Sequence, residues 1–72
     1  MTFHINYRMN EAGRVRFIDV PAKSKKDAYD RAKNELIPAA ENGANAFSVW
    51  VVSCTYSNGN YRRFDTTERK PF

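Results

Sequence analysis

Ala46-Phe47-Ser48-Val49-Trp50-Val51-Val52-Ser53-Cys54-Thr55-Tyr56 is a run without a single charge, and it leads through Ser57-Asn58-Gly59-Asn60 into Tyr61-Arg62-Arg63-Phe64-Asp65-Thr66. β-Branched and aromatic residues fit a pleated strand. Apolar positions on both of its faces call for a strand with neighbours on each side, hence a central one. Asn-Gly between two strand-like runs is the strongest short-range hairpin signal, because a type I′ turn needs φ > 0 at both central residues. A two-residue Asn58-Gly59 loop sets Tyr56 opposite Tyr61, Cys54 opposite Arg63 and Val52 opposite Asp65. One face then gathers Phe47, Val49, Val51 and Phe64 without charge and is expected to be core, leaving Trp50, Tyr56, Tyr61 and Arg63 at least partly exposed. The opposite assignment, which buries Trp50, Val52 and Cys54, stays open at this point.

Upstream of that strand the periodicity changes. Ser24 to Asp27 has the spacing of a capping box, and Ala28, Ala32 and Leu36 recur at i, i+4 and i+8 beside Tyr29. Lys26–Asp30, Asp27–Arg31 and Arg31–Glu35 are spaced as surface ion pairs. Small residues on the inner face let such a helix lie close to a sheet. Pro38 cannot continue the ladder, so the helix is expected to end near Ile37. One further turn over 39–43 is stopped by Gly43 in a left-handed cap.

The amino terminus alternates strictly from Thr2 to Met9, with Phe3, Ile5, Tyr7 and Met9 on one face and His4, Asn6 and Arg8 on the other. Asn10-Glu11-Ala12-Gly13 reads as a type I turn closed by a left-handed Gly13, which places Tyr7 opposite Phe17 and Met9 opposite Val15. The second strand then runs from Arg14 to about Val20 and turns Arg16, Ile18 and Val20 outward. Two hairpins joined through one helix predict an α+β domain over residues 1–66. Its four-stranded antiparallel sheet has the order 2-1-3-4 with the helix on one face. Residues 67–72 are expected to form a flexible polar tail.

Composition bounds the function. The 72 residues make one domain with a modest core. A single Cys54 rules out an intramolecular disulfide and leaves no cluster for a structural zinc. Neither a metal nor another cofactor is expected. Met1-Thr2-Phe3 shows no basic-plus-apolar leader and no apolar run approaches a membrane span, so the expectation is a protein neither secreted nor membrane-embedded. Catalysis has little to work with. His4 is the only histidine, Asp19 is not placed opposite it, and Cys54 has no neighbour to activate it. No glycine loop is present to cradle a phosphate. The chain is therefore expected not to be an enzyme.

Its net charge of +4 suits an anionic partner. Lys23, Lys25 and Lys26 crowd a helix N-terminus, where the dipole disfavours cations. Aromatic and basic residues interleave at Tyr61-Arg62-Arg63 and Tyr7-Arg8, as in nucleic-acid surfaces and in protein interfaces. The candidate partner-binding residues are Arg8, Arg16, Lys23, Lys25, Lys26, Trp50, Tyr61, Arg62 and Arg63.

The run Val20-Pro21-Ala22-Lys23-Ser24-Lys25-Lys26-Asp27-Ala28-Tyr29-Asp30-Arg31-Ala32 follows a hairpin in the form V-x-A-x-S-x-x-D-A-x-x-x-A. It resembles the hairpin-to-helix passage of very small phage-encoded inhibitors, among which the ββαββ layout is most similar to type I-F anti-CRISPR proteins. That resemblance implies a non-catalytic inhibitor in the cytoplasm of an infected bacterial host. It would bind the Cascade surveillance complex and obstruct target DNA binding. A phage inhibitor of bacterial RNA polymerase and a direct DNA- or RNA-binding module are the alternatives. The resemblance assigns no individual residue a role.

Overall fold

A computed structural model describes residues 1–72. The strands are β1 (Thr2–Arg8), β2 (Arg16–Pro21), β3 (Ser48–Thr55) and β4 (Tyr61–Arg63), and they form one antiparallel sheet in the order β2-β1-β3-β4. The helical segment between the hairpins comprises α1 (Lys25–Arg31), a wider π-helical stretch (Ala32–Leu36) and α2 (Ile37–Ala40). It packs on one face of the sheet, where Phe3, Ile5, Tyr7, Val20, Val49, Val51 and Cys54 meet Ala28, Ala32 and Ile37.

The helix starts as its sequence dictates and ends differently. Ser24 Oγ accepts from the Asp27 N–H at 3.1 Å. Of the expected ion pairs Lys26–Asp30 forms, at 3.0 Å, whereas Arg31 donates instead to the Pro21 carbonyl at 2.9 Å. The helix also passes through Pro38 rather than stopping before it. The Ile37 N–H bonds the Ala32 carbonyl, five residues back, and Pro38 sits in the first turn of α2, where a missing N–H costs no intrahelical bond. The extra residue in that wide turn rotates the inner stripe, so Ile37 is fully buried and Leu36 only partly. Gly43, with φ +88°, then closes the segment by donating to the Pro38 carbonyl at 2.7 Å.

Both hairpins are one residue out of the expected register. In the first, Phe3 pairs with Val20, Ile5 with Ile18 and Tyr7 with Arg16. The Gly13 N–H closes the turn on the Asn10 carbonyl at 3.0 Å, but Gly13 does not enter the left-handed region. In the second, Ser53 pairs with Arg63, Cys54 with Arg62 and Thr55 with Tyr61. Its loop is a three-residue one. Gly59 takes φ +89° and donates to the Tyr56 carbonyl, while Asn58 Oδ1 accepts from the Asn60 N–H at 3.0 Å.

The central strand resolves its two candidate faces by using both. Between His4↔Ser53 and Ile5↔Val51 the register slips, leaving Val52 as a bulge. Val49 and Val51 therefore face the helix before the bulge, and Cys54 faces it after. Trp50 lies on the opposite face, across from Asn6, yet is only 9% exposed. The carboxyl-terminal segment, expected as a flexible tail, is docked on the neighbouring residues. Pro71 accepts from the Val51 N–H at 2.8 Å, and Thr66 Oγ1 donates to the Val51 carbonyl. Glu68 reaches Arg8 Nε at 2.6 Å and Ser48 Oγ at 3.3 Å, the pair that flanks Trp50. Phe72 packs against Tyr29 of the helix with ring centroids 5.1 Å apart.

Candidate functional site

The face that the helix leaves uncovered is built from complete cross-strand rows. Pairing through β2, β1, β3 and β4 aligns Asp19–His4–Ser53–Arg63 as one row, and Pro21–Thr2–Thr55–Tyr61 as the next. Apart from Pro21, these two rows, with Val52 of the bulge, line a shallow groove of about 590 Å³. A third row, Phe17–Asn6–Trp50, borders it.

The groove has a fixed floor. His4 Nδ1 lies 2.8 Å from Asp19 Oδ1, so the carboxylate holds the ring as the Nδ1–H tautomer and leaves Nε2 free. Phe17 packs on the same imidazole with centroids 4.9 Å apart, yet remains 65% exposed. Ser53 is 5% exposed and lines the groove. Arg63 takes part in none of the ion pairs of the fold, and Tyr61 is 62% exposed. Asp19, His4 and Ser53 occur in the order of a nucleophilic triad. No hydrogen bond joins His4 Nε2 to Ser53, the contact on which activation of a serine depends.

The expected binding residues separate into two groups. Arg8, Trp50, Tyr61 and Arg63 lie on the uncovered face, although Arg8 is engaged by Glu68 and Trp50 is nearly closed off. Arg16 does not, because the register places it with Tyr7 on the helix side. There Arg16 Nη1 donates to Glu41 Oε1 at 2.7 Å and Tyr7 Oη donates to Glu41 Oε2 at 2.8 Å. The Tyr7 hydroxyl bond, then the Arg16 guanidinium, hold the Glu41 carboxyl below its ordinary value against some desolvation. Burial, and then Glu41, push the Tyr7 phenol up.

Arg62 also points to the helix side, opposite Cys54. Lys25 Nζ and the Arg62 guanidinium carbon lie 4.3 Å and 5.6 Å from the centroid of the Phe64 ring. Lys26 pairs with Asp30 and lies 5.9 Å from the Phe72 centroid. Two of the three lysines at the helix start thus have partners within the fold, which supplies a structural reason for them that sequence alone did not. Lys23 is exposed and without an ion-pair partner.

Phe17, His4, Asp19 and Ser53 were not among the expected site residues. Only the correct register of the first hairpin and the bulge at Val52 bring them into line with Arg63. No known protein family, curated protein or solved structure matches this chain.

Proposed function

We propose that this chain is a non-catalytic inhibitor of the phage type, which acts by docking its uncovered sheet face on host nucleic-acid machinery. In its most specific form the reading is an anti-CRISPR protein that binds Cascade and obstructs the path of target DNA. One observation carries it: the helix buries one side of the sheet, while the other presents Tyr61, Arg63 and Phe17 around a polar groove. Aromatic residues and arginine are the side chains that contribute most at the centres of protein interfaces.

The test is co-purification with Cascade followed by a target-DNA-binding assay. A stable complex that no longer binds DNA is the expected result, and no complex sinks the reading. Within such a complex Arg63→Glu should weaken binding by about thirtyfold or more, as loss of a central arginine at about 2 kcal/mol implies. Run-off transcription with purified RNA polymerase separates the alternative partner.

A further inference from the structure

We propose that the groove is a binding site for single-stranded nucleic acid, with a phosphate over His4, Ser53 and Arg63 and unpaired bases against Phe17 and Tyr61. The inference rests on the reading that the uncovered face is the recognition surface, and adds the ligand that this face would touch. Three observations converge on it.

The first is the balance of donors. Asp19, the one carboxylate in the groove, is already taken by His4 at 2.8 Å. What remains is the Arg63 guanidinium, without a carboxylate partner, and the hydroxyls of Thr2, Ser53, Thr55 and Tyr61. Ser53 is nearly buried and lines the groove, which puts a hydrogen-bonding hydroxyl at its floor. An acceptor-rich anion accepts from it and neutralises Arg63 together.

The second is the pair of exposed rings. Phe17 on β2 and Tyr61 on β4 are 65% and 62% exposed, at opposite edges of the groove. Three inter-strand steps across the sheet and the four residues from Thr2 to Asn6 along it separate them, roughly 19 Å on the diagonal. That is the reach of a short extended strand, longer than a lone phosphate. Base faces stack on such rings whatever the sequence, which is how single strands are held without base readout.

The third is shape. A flat sheet face has no helix or ribbon to enter the major groove of a duplex, whereas exposed aromatic rings need bases that are already unpaired. An acidic peptide would use Arg63 and leave the two flanking rings idle.

The test is fluorescence anisotropy of a labelled octathymidylate with the full chain, at low and at moderate salt. Binding is expected, falling as salt rises. Phe17→Ala and Tyr61→Ala should each weaken it about fivefold or more, the lower end of one base–aromatic stack. Phe17→Leu, which keeps apolar bulk without a ring, serves as a second variant. Arg63→Gln should lower the slope of log affinity against log salt by about 0.7, one phosphate on a single strand. Lys33→Gln, with the same loss of charge on the helix, should change neither. No binding at low salt overturns the proposal. So do Phe17 and Tyr61 variants that bind like the parent, or polyglutamate or duplex DNA competing as well as the single strand. Because Cascade is absent from this assay, failure here beside an intact Cascade complex removes the nucleic-acid site and leaves the docking reading standing.

Discussion

The two faces of the sheet share their strands and differ in almost everything else. On the helix side, paired positions carry Phe3, Ile5, Tyr7, Val20, Val51 and Cys54, all buried. On the other, the same pairings carry Asp19, His4, Ser53 and Arg63, with aromatic rings left in solvent at the margins. Apolar area removed from water drives folding, so the first face accounts for most of the stability. Apart from buried Trp50 and Ser53 and the Arg8–Glu68 pair, the second leaves its side chains exposed or half-buried, so less of the fold depends on them. The two are separable by mutation, and the separation is testable from the largest effect downwards.

Insertion of an alanine between Ser53 and Cys54 attacks the alternation that keeps the faces apart. One residue added at that point inverts the alternation after it and turns Cys54 out of the core, away from Phe3. Loss of a cooperative thermal transition is expected, and near-normal melting would break the account of β3. Ile5→Ala is next. Ile5 is wholly buried, and such truncations cost about 2–5 kcal/mol. A denaturant melt that shows less than about 1 kcal/mol would shift the weight of stability away from the helix side.

Tyr7→Phe should cost about 1 kcal/mol, because it removes the hydroxyl that donates to Glu41. It also sharpens the comparison through pH. Glu41 titrates below its ordinary value of 4.5 in the folded chain. Its contribution is therefore complete above about that pH and is lost as pH falls through the lower folded value. Tyr7 titrates above its ordinary 10.0, so its contribution is present below that pH and lost as pH rises through the higher folded value. Melting temperature followed from pH 7 to pH 3 should fall less steeply in Tyr7→Phe than in the parent, and parallel curves would deny the coupling. The smallest stability effects belong to the uncovered face. Arg63→Glu and Phe17→Ala should leave folding within about 0.5 kcal/mol while they disable binding. A large loss of stability in either would mean that the two faces are not independent.

Fold class and strand order were legible in the sequence, since alternation, a cap and two turn signals determine them without exact register. Register was not. Positive φ was expected at Gly13 and at both Asn58 and Gly59, and of these three only Gly59 has it. Each loop differs from expectation by one residue, and one residue reverses a strand. In the first hairpin this moved Arg16 off the uncovered face and put Phe17 and Asp19 on it. In the second, the slip and the bulge at Val52 offset each other, so Tyr61 and Arg63 lie on the face where alternation had set them. A bulge leaves little trace in an uncharged run such as Val49–Cys54, where either face reads as apolar. The π-helical turn was hidden for a similar reason, because Leu36 and Ile37 are equally apolar and only packing chooses between them.

The strand order has a consequence for how the chain reaches this state. β1 and β3, the two inner strands, come from opposite ends of the sequence, and Phe3↔Cys54 is their outermost core pair. Each hairpin closes a short loop, but neither acquires a covered face until the two halves meet. Closure of that long loop has to be met before its contacts reward it, and ladders so distant in sequence form slowly. The seam between β1 and β3 is thus the kinetic bottleneck of the molecule, and the two turns are its quick, late-tuned accessories.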